Sequence, residues 1–335
     1  MSELITAQRR TVRIYAAGGT GANILRAYQD NSPKHTHLLG DEQYAFVDTS
    51  LSNLVGVSAD KVYHVKRPDG TVMDGAGGDR KAVGAAVLAA MPDITSKFQP
   101  GDKNIIVTSL TGGTGPAIAQ IMVKYLHQKG HHCAILAVSS NESYKRVDNF
   151  IRTLTGMEDT TRTTGRPIVI ALHKNDESKS RDANNVGPTF DLAAMSILFS
   201  GMNESMDTAD VNNVFDYHTV THFGPGVALL HIAADVNKFK DLEMPIAAYA
   251  AVARDRNETI PKLNSVYDTA GYMRNNEGDV YANSFYFAVS TASAASLFKD
   301  LIKQRTDLEQ QQQVKAPVVS LLGGSGKADD ETGLF

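Results

Sequence analysis

The strongest constraint on this chain is where its glycines fall. Gly18, Gly19 and Gly21 follow the β-branched and aromatic run TVRIYAA at 11–17, and Gly112, Gly113 and Gly115 follow the apolar run NIIVT at 104–108. Each cluster is succeeded by a helical pattern, over 23–28 and over 117–128. A third cluster, Gly70, Gly75, Gly77 and Gly78, precedes an Ala-rich apolar segment at 82–91. A strand, a glycine turn and a helix in succession can wrap backbone N–H groups and the positive end of the helix around an anion, because glycine lets the backbone come close. The hydroxyls of Thr20, Thr111 and Thr114 are interleaved with the glycines. One such cluster could be no more than a tight turn; two at equivalent junctions favour phosphate binding. Ile24 stands where a dinucleotide fingerprint needs its third glycine, and Leu321 and Ala328 around Gly326-Lys327 break a P-loop.

Further apolar runs at 44–47, 61–65, 133–138 and 167–172 read as strands, the first of them ending in Asp48-Thr49, and 82–91 reads as a buried helix stopping at Pro92. Strands alternating with helices predict an α/β fold with a mostly parallel sheet covered on both faces. Residues 186–203 form one long apolar-periodic stretch, expected as a central helix. Beyond it the rhythm changes to a strand at 227–233, a helix at 245–254, an alternating strand at 283–290 and a polar helix at 292–314, which suggests a smaller α+β domain. The stretch after Pro317, LLGGSGKADDETGLF, reads as a tail.

A length of 335 residues suits two domains. The formal charge of -4 is too balanced for a protein that grips nucleic acid electrostatically, so no direct nucleic-acid binding is expected. A single cysteine, Cys133, excludes an internal disulfide, and no run approaches the ~18 apolar residues of a membrane span. With no apolar signal region in MSELITAQRR, a cytoplasmic protein without a membrane partner is expected. His35, His37, His127, His131 and His132 lack carboxylate or cysteine partners of metal-ligand spacing and read as surface residues, with no metal site among protein side chains.

SLTGGTGP at 109–116 resembles the signature loop of the tubulin and FtsZ superfamily, and AAGGTGAN at 16–23 resembles its first phosphate loop. The likeness continues in order through Asp48-Thr49, GAGGDR at 75–80, KND at 174–176, Phe190-Asp191 in the long helix, and MDTADVNNV at 206–214. The resemblance implies a Rossmann-type GTP-binding domain over 1–184, a central helix over 185–206, an α+β domain over 207–298 and a C-terminal helix with acidic tail over 299–335. It implies GTP/GDP with Mg2+ as ligand, held by Gly18, Gly19, Thr20, Gly21, Asn23, Asp48, Ala76, Gly77, Gly78, Thr111, Gly112, Gly113, Thr114 and Gly115 at the phosphates. Asn175, Phe190 and Asp191 would meet the guanine.

Asp207 and Asp210, spaced i, i+3 at a helix start, face one side. Alone, that spacing is explained better by N-terminal capping than by catalysis. The resemblance implies that the pair acts on the GTP of a neighbouring subunit, so that head-to-tail contact completes the site and builds an open filament. Asn often stands two residues before the first acid in bacterial members; here it is Ser205. The short length and the ending in Asp329-Asp330-Glu331 and Leu334-Phe335 resemble the phage-encoded tubulins. That branch implies a tail docking on the next subunit, self-association as the partner relation, and a filament positioning viral DNA or capsids in the host cytoplasm. The alternatives are a nucleotide-binding scaffold without significant hydrolysis and, disfavoured by Ile24, a Rossmann-type oxidoreductase.

Overall fold

A computed structural model describes residues 9–31, 39–76, 80–273 and 283–314, with side chains through 311. His35, His37, Gly77, Gly78 and the tail with Asp329, Asp330, Glu331, Leu334 and Phe335 lie outside the described residues. The first half alternates strictly: β1 (Thr11–Ala17), α1 (Gly18–Asp30), β2 (Asp41–Asp48), β3 (Val62–His64), α2 (Arg80–Lys97), β4 (Lys103–Ser109), α3 (Thr114–Gln128), β5 (Cys133–Ser139), α4 (Tyr144–Thr164) and β6 (Ile168–Lys174). The central helix α5 (Arg181–Ser200) leads to β7 (Asn203–Glu204), α6 (Thr208–Phe215), β8 (Val227–Ala233), β9 (Ile246–Ala253), β10 (Ser265–Met273), β11 (Phe285–Ser290) and α7 (Thr291–Val314).

Among the described residues, all eleven strands join one sheet, in the order β3-β2-β1-β4-β5-β6-β8-β11-β9-β10-β7. Pairing is parallel except where β11 meets β8 and β9 and where β10 meets β7. The alternation of side chains along each strand divides the core into two layers. Val12, Ile14 and Ala16 of β1 pack with Leu25 of α1, Met195 of α5 and Val211 of α6. Tyr15 and Ala17 point the other way, to Val87 of α2, Met122 of α3, Phe150 of α4 and Leu301 of α7. The strands are covered on both faces, as their near-continuous apolar runs require.

Three elements differ from expectation, the last of them a helix that no earlier pattern marked. Residues 245–254 are not a helix: Ile246–Ala253 forms β9, every residue of it buried between β11 and β10. A short apolar run carries no period that separates strand from helix, and here the small Ala side chains fit a strand packed on both faces. Helix α2 does not stop at Pro92 but continues to Lys97. Pro92 sits on its exposed side, where the carbonyl deprived of a partner meets water. Residues 144–164, rich in Thr and charge, form α4, capped by the Ser143 side chain and ended by Gly165 in the left-handed conformation.

His127 is a further correction, for it is buried at 6% exposure rather than on the surface. It faces Arg166, Asp216 and His132; Asp216 accepts from Arg166 Nη2 at 2.8 Å and His132 Nδ1 at 2.7 Å. Burial, together with the Arg166 charge, pushes His127 from the usual 6.5 down to about 4. Between those values the unfolded chain binds the proton and the folded one does not, so this contribution to stability is lost as pH falls. Urea unfolding should lose about 3 kcal/mol from this group between pH 6.5 and 4. His127→Gln should flatten that slope.

Candidate functional site

The loops leaving the carboxyl ends of β1, β4, β5 and β6 enclose a cavity of about 410 Å³. Its wall carries Thr20 and Asn23 from α1, Ser109, Thr111 and Gly112 from the β4–α3 turn, Ser140 and Arg146 after β5, and Asn175 after β6. A crevice at strand carboxyl ends is where open parallel sheets bind ligands. Two helices open toward it, α1 and α3, and both begin without a side-chain cap and without an acid in the first turn. By contrast Ser143 caps α4, Ser180 caps α5 and Asp207 caps α6. The free N–H groups and positive ends of α1 and α3 therefore suit an anion.

The glycines of the two turns divide by task. Gly18, at φ +73°, packs back to back with the other turn, and a Cβ there would lie 2.8 Å from the Gly115 Cα. A Cβ on Gly21 would lie 2.2 Å from the Val107 carbonyl, and one on Gly115 would lie 2.9 Å from the Ala17 carbonyl. These three let the helix starts close onto the strands. Gly19 leaves room for the Asn53 side chain and Gly113 for Ala76, whereas Gly112 lines the cavity with no neighbour closer than 3.9 Å to its would-be Cβ.

Asp48 does not line the cavity; it organises the loop beside it. Its Oδ1 accepts from the N–H groups of Thr49 at 2.7 Å and Ser50 at 3.1 Å, and its Oδ2 accepts from Asn53 at 2.9 Å. Burial raises its pKa, and these hydrogen bonds only partly offset the rise. Thr49 then ties the loop to the start of α3 through a 3.1 Å contact with Thr114 Oγ1. From the other side, Asn149 and Thr153 of α4 donate to the carbonyls of Thr111 and Leu110 at 3.2 and 3.1 Å, bracing the glycine turn.

At the far end of the cavity the structure departs from the expected contacts. Phe190 and Asp191 are absent from the lining: Phe190 stacks against Phe285 at 5.6 Å, and Asp191 is a buried partner of His173 Nε2 at 2.7 Å. Helix α5 starts at Arg181, four residues before 185, so its first turns bring Arg181, Asn184 and Asn185 to the cavity instead. Asn184 accepts from the Asp176 N–H at 2.9 Å and so fixes the loop that carries Asn175. Arg146 pairs with Glu142 at 3.1 Å and with Glu177. These residues carry no glycine-like mark; the Ser-Arg-Asp start of α5, a cap followed by an acid, was the available signal.

A family profile described as phage tubulin-like protein, C-terminal domain, matches residues 206–305. A phage tubulin-like protein of Pseudomonas phage PhiPA3 is 27% identical over 300 residues, covering 89% of this chain and 90% of the relative. The TubZ protofilament from bacteriophage PhiKZ superposes with a TM-score of 0.81 at 24% identity, covering 95% of this chain and 97% of the other. The chain has the tubulin/FtsZ fold and is similar to phage-encoded tubulin-like proteins. The phage tubulin PhuZ with GDP aligns at a TM-score of 0.78 and 21% identity, over 94% and 98% of the two chains.

In this tubulin-like frame Asp207 and Asp210 lie away from the cavity. They form a reciprocal capping box on α6: Asp207 Oδ1 accepts from the Asp210 N–H at 2.9 Å and Asp210 Oδ2 from the Asp207 N–H at 3.0 Å. The surroundings of α6 are the amino ends of the strands. Lys103, which begins β4, bonds Asn212 of α6, and the Arg10 N–H just before β1 bonds the last carbonyl of α5, Ser200, at 3.0 Å. The acids and the cavity thus stand at opposite ends of the 20-residue α5, roughly 30 Å apart at 1.5 Å per residue. Among the described residues no group of three or more His, Cys, Asp or Glu is placed to hold a metal, and no helix is long and apolar enough to cross a membrane.

Proposed function

We propose that this chain is a GTPase that assembles head to tail, each subunit binding GTP in the cavity at the sheet's carboxyl edge and receiving Asp207 and Asp210 from the subunit above. The observation that carries the reading is the pair of uncapped, acid-free helix starts, α1 and α3, converging on one polar cavity while the acid pair sits at the opposite end of α5. Phosphoryl transfer depends chiefly on positioning and charge stabilisation, and this division gives each monomer half of that apparatus. A heterologous contact of this kind repeats without closing and yields a filament. Phage relatives described as a protofilament and as a filament support it.

The phosphates would lie on the turns at 18–21 and 111–115, with Ala76, Gly77 and Gly78 near the γ-phosphate. Mg2+ would be held mainly by phosphate oxygens and water, since Asp48 has both carboxylate oxygens engaged. Asn175, Asn185 and Arg146 supply the polar groups for the base and ribose. On this reading 1–184 binds nucleotide, 185–206 links, 207–298 activates the neighbour, and 299–335 adds a helix and a tail that docks along the filament. A role in positioning viral DNA or capsids in the host cytoplasm rests on the phage likeness.

Phosphate release per subunit should climb steeply with protein concentration and resist competition by ATP. A rate per subunit that stays flat into high dilution would refute the shared site. One observation favours the second reading, a filament scaffold without significant hydrolysis: both acids are already employed as a helix cap. GTP-loaded filaments that release no phosphate would establish it.

A further inference from the structure

The two acids of the α6 start are not equivalent, and a tyrosine makes the difference. Tyr267 belongs to β10, and its hydroxyl donates to Asp210 Oδ1 at 3.2 Å. The Tyr267 hydroxyl oxygen itself accepts from Asn213 Nδ2 at 3.4 Å. Asn213 lies three residues after Asp210, so one face of α6 presents both ends of this relay to a single ring. With Asn213 supplying a hydrogen from one side, the phenolic proton is directed at the carboxylate. Burial, and the adjacent Asp210 charge, hold the Tyr267 hydroxyl above its usual pKa, so it stays a donor at neutral pH.

Asp210 therefore has both oxygens engaged, Oδ1 by Tyr267 and Oδ2 by the Asp207 N–H. Asp207 has one oxygen engaged, by the Asp210 N–H, and among the described residues no donor hydrogen-bonds its Oδ2. Asp207 is also the more exposed of the two.

We infer that Tyr267 is a positioning residue for the acid pair: it fixes Asp210 as a stationary charge and leaves Asp207 Oδ2 as the carboxylate oxygen that receives the proton of the attacking water. This rests on the head-to-tail GTPase reading above. In the step, the water oxygen bonds to the γ-phosphorus of the neighbour's GTP. The bond from that phosphorus to the β,γ-bridging oxygen breaks, its electron pair leaving on GDP. The water proton passes to Asp207 Oδ2 and then to the inorganic phosphate.

The test is Tyr267→Phe in the full chain, which removes one oxygen and nothing else. Phosphate release is measured at protein concentrations well above the assembly threshold, alongside sedimentation with a slowly hydrolysed GTP analogue. Turnover per assembled subunit should fall about tenfold with the threshold and nucleotide affinity unchanged, the scale of one lost hydrogen bond to a charged group. In an Asp210→Asn background the same substitution should cost nothing further, because the charge it positions is gone. A merely structural tyrosine would carry the same loss into both backgrounds, and that result, or wild-type turnover in Tyr267→Phe, overturns the inference. Should the phenylalanine variant fail to assemble, Asn213→Ala takes its place: a severalfold slower turnover supports the relay, and an unchanged one overturns it. If Asp207→Asn hydrolyses GTP at the wild-type rate the shared site itself fails; if Asp207→Asn is inactive and Tyr267→Phe fully active, only the role of Tyr267 falls.

Discussion

Valine at Gly112 is expected to remove guanine-nucleotide binding, by a hundredfold or more in affinity (about 2.7 kcal/mol), while the folded state survives. The would-be Cβ of Gly112 meets nothing closer than 3.9 Å, so the backbone accepts a side chain; the residue lines the cavity, so that side chain would take the space proposed for the phosphates. Gly21→Ala should do the reverse. Its single methyl would lie 2.2 Å from the Val107 carbonyl, a clash with a rigid strand rather than with a ligand. Overpacking of that sort costs roughly 1–3 kcal/mol and occasionally more. Thermal melting beside titration with a fluorescent GTP analogue separates the two: Gly112→Val keeps its melting temperature and loses binding, whereas Gly21→Ala loses several degrees first. Equal loss of stability in both would mean that the turns serve packing alone.

The second large effect concerns the acid pair. Asp207→Asn with Asp210→Asn removes both charges while keeping side chains that cap a helix nearly as well as Asp, so α6 should persist. Phosphate release should fall by about 10²–10³, the range for removing a positioned base and its electrostatic support, with GTP binding retained. Mixing this variant with Gly112→Val should then restore hydrolysis. A chain that holds GTP without acids would sit against one that has acids without GTP, and half of the mixed junctions would be complete. A mixture no more active than its components would show that acids and nucleotide belong to the same subunit.

The first half of the fold was legible because its pattern is local. An apolar strand, a glycine turn and a helix are neighbours in the chain, and β1 with α1 and β4 with α3 appear where the spacing put them. The strand at 246–253 was not legible, since eight consecutive apolar residues look alike in a buried helix and a buried strand, and only its place between β11 and β10 decides. Helix α4 hid behind threonines whose hydroxyls turn back to carbonyls one turn earlier, as Thr155 does to Ile151 at 2.9 Å. Asp191 was placed at the ligand by motif order, yet it lies nearly three turns into α5 beside His173, and the first turns of the helix put Asn184 and Asn185 at the cavity.

What this sequence determined by itself is that two glycine turns follow two buried strands, and therefore that helix starts gather at one edge of a parallel sheet. Period, turn chemistry and chain direction are all short-range, so they survive without knowledge of the partners. Tertiary structure alone decided which glycines face the cavity and which touch backbone, because that depends on distances between segments nearly a hundred residues apart, such as Gly18 and Gly115. It also decided that Asp210 is held and Asp207 is left open. A carboxylate's freedom is set by donors arriving from elsewhere in the chain, and Tyr267 comes from a strand 57 residues away.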